Sequence, residues 1–81
     1  MFDRDDENYV YEIVSKNIKK QRMLKGLTQE ELAEKSNYSK QFISNIESKN
    51  YQTFSLGTLW RIASVLEIKI ALLFEESENS N

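Results

Sequence analysis

Five polar side chains cluster between positions 39 and 45, and their types suit hydrogen bonding to a nucleic acid. Lys40 can donate to guanine O6 and N7, while the amides of Gln41 and Asn45 can pair with adenine N6 and N7. Ser39 and Ser44 are shorter and could contact a base, a phosphate or a water molecule. These residue types predict an exposed surface whose chemistry is base recognition.

The residues before this surface have the pattern of a short helix followed by a tight turn. Thr28 is a good N-cap, and Glu31 three positions later completes a capping box. Leu32 and Ala33 supply the apolar side of a helix that runs to about position 35. Asn37 tolerates a left-handed backbone better than most residues, which suits a turn between two helices.

A second helix is predicted from Ser39 to Glu47. Ser39 can cap its start, and Phe42, Ile43 and Ile46 follow at helical spacing, so one face is expected to pack inward. The polar side chains then occupy the other face. The sequence therefore predicts a helix, a turn and a helix that together present the polar surface.

The stretch from position 28 to 47 resembles the helix-turn-helix of the lambda-repressor and Cro-like family, also called the xenobiotic-response-element family. The resemblance is carried by Leu27–Ala33 (LTQEELA) and Ile43–Glu47 (ISNIE), and it extends over about positions 18–74. Asn37 and Glu67 stand where that family often has glycine, and Glu67 predicts a tighter or less regular turn after helix 4. The resemblance implies an all-α, compact five-helix DNA-binding domain with the helix-turn-helix at helices 2 and 3.

The same resemblance implies roles for residues outside the polar surface. Gln29 matches the family position that holds the DNA backbone, and helix N-termini favour phosphate. Arg22 and Glu47 match a largely buried ion pair, which we expect to be structural and not catalytic. After helix 3, Lys49 and Asn50 are polar enough to meet phosphates, although a solvated loop would have the same composition.

The flanking segments predict the other helices. Helix 1 is expected over 8–24, with Val10, Val14 and Ile18 on its inner face and Gly26 at its C-terminal turn. Helix 4 is expected to start after the Ser55 cap and to reach position 66, and a short fifth helix is expected over 71–74. One domain over 8–75 is expected between flexible ends at 1–7 and 76–81.

An apolar cluster near the C-terminus exceeds what one small domain can easily bury. We expect some of its side chains to lie in the core and others to face a second copy of the chain. Leu72 or Leu73 is expected to be the more exposed member, and Phe74 is expected to be shared between core and interface. The expected dimer interface consists of Ile70, Leu72, Leu73 and Phe74.

Composition limits the classes of function. The 81 residues contain no Cys and no His, which excludes disulfides, thiolate zinc sites, the usual catalytic triads and most catalytic metal sites. No apolar run approaches the ~20 residues of a membrane span, and the N-terminus is acidic, unlike a secretory signal. We expect a cytoplasmic protein that is not an enzyme and that binds no cofactor or metal.

The net charge of −2 is unevenly distributed along the chain. Lys and Arg outnumber the acidic residues in the middle, whereas both ends are acidic. Screening acts over about 10 Å, so the local field at a surface matters more than the total charge. This distribution fits a molecule with one face toward DNA and another face away from it.

Several physiological roles are compatible with these features. A stand-alone domain of this length resembles the controller proteins of restriction–modification systems, and also small phage repressors and DNA-binding antitoxins. The alternative from another class is a protein-interaction module built on the same fold, against which the polar surface argues. We expect the partner to be double-stranded DNA, bound by a homodimer at an inverted-repeat operator. A contact with RNA polymerase is also possible for a regulator of this kind.

Overall fold

In the part of the chain that the structure describes, apolar residues at helical spacing form four α-helices: α1 (Tyr9–Leu24), α2 (Gln29–Ser36), α3 (Lys40–Glu47) and α4 (Leu56–Leu66). The computed structural model describes residues 6–48 and 53–76, and within these ranges a 3₁₀ helix, Ile70–Phe74, follows α4. This part of the chain contains no strand. The predicted all-α class is therefore confirmed, with α2 and α3 in the predicted positions. No helix in the described ranges has the length and apolar composition needed to cross a bilayer.

The described residues contain four α-helices and not the predicted five, because the short fifth helix expected over 71–74 is part of a 3₁₀ helix, Ile70–Phe74. Its N–H groups bond three residues back, as in the bond from Leu72 N to Lys69 O at 3.0 Å. Asn17 of α1 then terminates the segment, since its Nδ2 donates to the carbonyl oxygens of Leu73 and Glu75, each at 2.8 Å. Those carbonyls are satisfied by a side chain and not by a further helical turn.

Three helices end in the same hydrogen-bonded turn, each with one residue in the left-handed region. Gly26, Asn37 and Glu67 have φ values of 72°, 63° and 58°. In each turn the next residue donates to the carbonyl five positions back, as Ile68 N does to Ala63 O at 3.0 Å. The turn after α4 is therefore as regular as the others, contrary to the prediction, and Glu67 adopts a backbone conformation that favours glycine.

The core lies where the four α-helices and the 3₁₀ helix meet. Its buried apolar side chains are Val14, Ile18, Leu32, Ala33, Ile43, Ile46, Leu59, Ile62, Ala63, Leu66 and Leu73. Burial of Val14 and Ile18 confirms most of the predicted inner face of α1. Val10 is an exception: it lies in the first turn of the helix, is 39% exposed and lines a cavity together with Phe74.

Candidate nucleic-acid interface

Local sequence sets where both helices of the helix-turn-helix begin. At α2, Glu31 N donates to Thr28 Oγ1 at 3.0 Å and Thr28 N donates to Glu31 Oε1 at 2.9 Å, which is a complete capping box. At α3, Phe42 N donates to Ser39 Oγ at 3.0 Å. Asn37 turns the chain between the two helices in the left-handed conformation predicted for it.

The helix α3 has one apolar face in the core and one polar face toward solvent. Ile43 and Ile46 are fully buried, so they fix which way the opposite face points. That face carries the predicted base-contacting residues, exposed or half-buried: Ser39, Lys40, Gln41, Ser44 and Asn45. Gln41 Nε2 donates to Asn45 Oδ1 at 2.9 Å, one helical turn away. We call these five residues the recognition surface.

Tyr38 in the turn before α3 packs against Phe42 of α3 and against side chains of α4. The ring centroids of Tyr38 and Phe42 lie 4.7 Å apart, and the Arg61 guanidinium lies 5.1 Å from the centroid of the Tyr38 ring. The Tyr38 hydroxyl donates to Thr58 Oγ1 at 3.2 Å. Sequence reasoning missed Thr58 and Arg61. Their spacing places them on one face of α4, but it does not identify Tyr38 as their partner.

A buried ion pair joins α1 to the end of α3. Arg22 Nε donates to Glu47 Oε2 at 2.9 Å and Arg22 Nη2 donates to Glu47 Oε1 at 3.1 Å, with the two side chains only 10% and 2% exposed. Arg22 Nη1 also donates to Leu27 O at 2.6 Å in the turn before α2. The pair therefore connects three elements, and a bidentate geometry of this kind is rigid.

Gln29 has a partner that the sequence did not indicate. It is the first residue of α2, it is half-buried, and its Nε2 donates to Glu47 Oε1 at 3.1 Å. The two residues are 18 positions apart, so no local pattern could have revealed the contact. The other predicted phosphate contacts, Lys49 and Asn50, lie outside the described residues.

The predicted dimer interface needs a correction at Leu73. This side chain has no exposed surface, because it fills the core between α1 and α4, so it is not available to a second copy. Ile70 and Leu72 are half-buried, and Phe74 is the more exposed at 39%. The expectation that Leu72 or Leu73 would be the more exposed member is wrong.

Sequence reasoning also missed two exposed apolar residues of α4. Leu56 and Trp60 are 69% and 63% exposed, one helical turn apart. Val10, Leu56 and Phe74 together line a cavity of about 200 Å³. The i, i+4 spacing of Leu56 and Trp60 on a helix whose other face is already apolar was the available signal. We call Val10, Leu56, Trp60 and Phe74 the apolar end surface.

Comparison with protein families gives a match to the helix-turn-helix family model over residues 18–73. Among solved structures, the restriction–modification controller protein C.Esp1396I bound to a 19 base pair DNA duplex is 39% identical. The match covers 82% of this chain and 87% of that one, with a TM-score of 0.73. No match was found among curated proteins.

Two further structures extend the comparison. The controller protein C.AhdI from Aeromonas hydrophila is 26% identical, over 79% of this chain and 96% of that chain, with a TM-score of 0.73. SinR, the master regulator for biofilm formation, solved in complex with DNA, is 31% identical. That match covers 76% of this chain and 98% of SinR, with a TM-score of 0.71.

Proposed function

Because the chain belongs to the helix-turn-helix family, which its match over residues 18–73 shows, we propose that it is a sequence-specific DNA-binding transcription regulator. The observation that carries this proposal is the recognition surface, which is polar and solvent-facing while the opposite side of α3 is fixed in the core. In this function α3 enters the major groove, and Lys40, Gln41 and Asn45 read base edges.

Backbone contacts would orient the protein on the duplex. Gln29 lies at the start of α2, where the free N–H groups of a helix favour phosphate, and its side chain is close to the end of α3. Lys49 and Asn50 are proposed to contact the backbone from the loop after α3. The protein would carry out this function in the cytoplasm, without catalysis and without a cofactor.

The physiological role that we propose is that of a controller protein in a restriction–modification operon. Its support is the similarity to C.Esp1396I and C.AhdI, both described as controller proteins. A phage-type repressor or the DNA-binding antitoxin of a toxin–antitoxin pair would use the same surface. The neighbouring genes discriminate among them: a methyltransferase and an endonuclease favour the controller, and a small toxin favours the antitoxin.

We further propose that the protein acts as a homodimer through the apolar end surface, extended by Ile70 and Leu72. Val10, Leu56 and Phe74 line one cavity and Trp60 lies one helical turn from Leu56, and exposed large apolar side chains grouped in this way mark an interaction site on a small protein. A two-fold dimer places two α3 helices about 34 Å apart, so the operator should be an inverted repeat. Contact with RNA polymerase would then have to use surfaces that neither DNA nor the second copy covers.

Selection from a pool of random-sequence DNA duplexes tests the function directly. The protein should enrich an inverted repeat over successive rounds, because two copies of the recognition surface read the same bases in opposite directions. The matched control carries Lys40→Ala, Gln41→Ala and Asn45→Ala, which remove exposed or half-buried groups and leave the core intact. If the folded parent enriches no sequence, the proposal is rejected and the protein-interaction module becomes the favoured alternative.

A further inference from the structure

Gln29 Nε2 donates to the same Glu47 carboxylate that Arg22 binds, so the buried ion pair also contacts the start of α2. We propose that Glu47, held by Arg22, is a positioning residue that orients the Gln29 amide toward a DNA phosphate. The inference rests on the proposed function and adds to it a link between the backbone contact of α2 and the end of α3.

The orientation of Gln29 follows from the chemistry of its partner. An ionised carboxylate only accepts hydrogen bonds, so the amide must turn its NH₂ group, and not its carbonyl oxygen, toward Glu47. The donated bond from Nε2 to Glu47 Oε1 is 3.1 Å long. The amide nitrogen carries two hydrogens, and this bond uses one of them. The second hydrogen points in a different direction in the amide plane and is left for another acceptor.

The carboxylate is itself unable to turn away. Its Oε1 accepts from both Gln29 and Arg22 Nη2, and its Oε2 accepts from Arg22 Nε. Arg22 is fixed in turn by its bond to Leu27 O. Because Glu47 is almost fully buried, water does not compete for its oxygens. The Gln29 side chain is therefore already restrained before DNA binds. A fully exposed glutamine would instead lose rotamer freedom on binding a phosphate.

The position of Gln29 makes a phosphate the expected acceptor. It is the first residue of α2, beside a capping box that satisfies the N–H groups of Thr28 and Glu31. The helix dipole favours an anion at this end. A neutral amide held in place by a buried carboxylate can then donate to the phosphate without bringing the carboxylate charge to the surface.

Two experiments separate positioning from stability. In the free protein, NMR should show one Gln29 side-chain amide proton shifted downfield and slow to exchange, as expected for a bond to a carboxylate. In an operator obtained by selection, single methylphosphonate substitutions should reveal one phosphate in each half-site whose neutralisation weakens the parent about tenfold, the size expected for one hydrogen bond to a charged group. Gln29→Met should bind more weakly and be insensitive to that substitution.

The positioning of Gln29 by Glu47 is tested with a double variant, Arg22→Met with Glu47→Leu, which replaces the whole ion pair by apolar side chains. Replacing both charges avoids leaving one of them buried without a partner, and such replacements commonly keep a fold. Cooperative thermal unfolding followed by circular dichroism would verify folding, and Glu34→Gln, an exposed change in α2, serves as the control. The variant should lose most of the tenfold methylphosphonate effect at the Gln29 phosphate and keep the effects at other phosphates.

Several results would overturn the inference. A full methylphosphonate effect in the apolar variant would show that Gln29 needs no positioning by Glu47. An unshifted, fast-exchanging Gln29 amide in the free parent would remove the contact itself, even if the apolar variant failed to fold. If Gln29→Met remained sensitive to methylphosphonate substitution at every phosphate, Gln29 would not be a phosphate contact. The proposal that the protein binds DNA would still hold. A parent that bound no selected DNA would reject the proposed function and this inference with it.

Discussion

The recognition surface consists of polar side chains that are exposed or half-buried and that we propose contact bases. Lys40 and Gln41 are exposed near the start of α3, and Asn45 lies one helical turn after Gln41. The bond from Gln41 Nε2 to Asn45 Oδ1 uses one amide donor of Gln41 and one acceptor of Asn45. Each side chain therefore restrains the other, and their remaining polar groups are the ones proposed to contact bases.

Alanine substitution at Lys40, Gln41 or Asn45 should weaken binding to the selected operator by about 1–3 kcal/mol, the usual cost of losing a base contact. Binding to non-specific DNA should change less, except for Lys40→Ala, which also removes a charge. Titration with operator and non-operator duplexes measures both quantities. Unchanged operator affinity in all three variants would contradict the assignment of α3.

The Gln41–Asn45 bond predicts that the two substitutions are not additive. Once one partner is gone, the other has already lost its orientation, so the double variant should lose less than the sum of the single losses. A coupling of at least about 0.5 kcal/mol is expected for residues in direct contact. A double-mutant cycle on operator affinity measures it, and strict additivity would mean that the bond is absent when DNA is bound.

At the level of elements, the turn after α4 combines regular hydrogen bonds with an unfavourable residue. Glu67 has a φ of 58° and carries a negative charge at the C-terminal end of α4, where the helix dipole disfavours it. Gly26 and Asn37 perform the same task in their turns at lower cost. Leu66 at the end of α4 and Leu73 in the 3₁₀ helix are both buried. The chain must therefore turn between them to bring both side chains into the core.

Glu67→Gly should stabilise the protein by about 1 kcal/mol, because relief of the left-handed strain outweighs the added freedom of the unfolded chain. Thermal or denaturant unfolding measures the change. Ser64→Gly is the matched control: the same residue is introduced at an exposed position inside α4, where it should destabilise by about 0.5 kcal/mol. Destabilisation by both would show that Glu67 makes a contact worth more than its strain.

The molecule as a whole places the recognition surface on α3 and the apolar end surface on α1, α4 and the 3₁₀ helix. The 3₁₀ helix packs chiefly on α1 and α4, and α2 packs chiefly on α3 and α4. Asn17 and Tyr9 hold the C-terminal segment to α1, through the bonds to Leu73 O and Glu75 O and the 2.7 Å bond from the Tyr9 hydroxyl to Glu76 Oε2. The surface proposed for base recognition and the surface proposed for dimerisation therefore lie on different parts of the fold.

The oligomeric state should depend on the apolar end surface. Trp60→Glu should shift the parent from dimer to monomer in sedimentation at micromolar concentration without DNA, because it places a charge on the buried side of the interface. Met23→Glu is the matched control, since Met23 is 61% exposed and Trp60 is 63% exposed, but Met23 lies at the other end of α1 from Val10. A parent that sediments as a monomer, or a Trp60→Glu dimer, would reject the interface.

Salt dependence tests the electrostatic part of binding. If the basic middle of the chain neutralises several phosphates, log affinity should fall linearly and steeply with log salt concentration. Lys40→Ala should make the slope shallower by about one unit if its charge meets a phosphate. Lys69→Ala, beside the 3₁₀ helix, should leave it unchanged. A flat dependence in the parent would argue that DNA is not the partner.

The sequence by itself determined what depends on neighbours along the chain. Thr28 and Ser39 cap helices, Asn37 makes a left-handed turn, and Ile43 and Ile46 set the inner face of α3, because caps, turns and helical faces follow from spacing of a few residues. The recognition surface followed from the same periodicity. The family resemblance added Arg22 and Glu47, which form the ion pair seen in the structure.

Only the tertiary structure decided contacts between distant segments. The bond of Gln29 to Glu47 and the stacking of Arg61 on Tyr38 join residues whose separation carries no pattern. The division of the apolar C-terminal residues was also hidden, since Leu73 is buried and Phe74 exposed although both are apolar and adjacent. The 3₁₀ helix arose in the same way, because Asn17 of α1 takes the carbonyls that a longer helix would need.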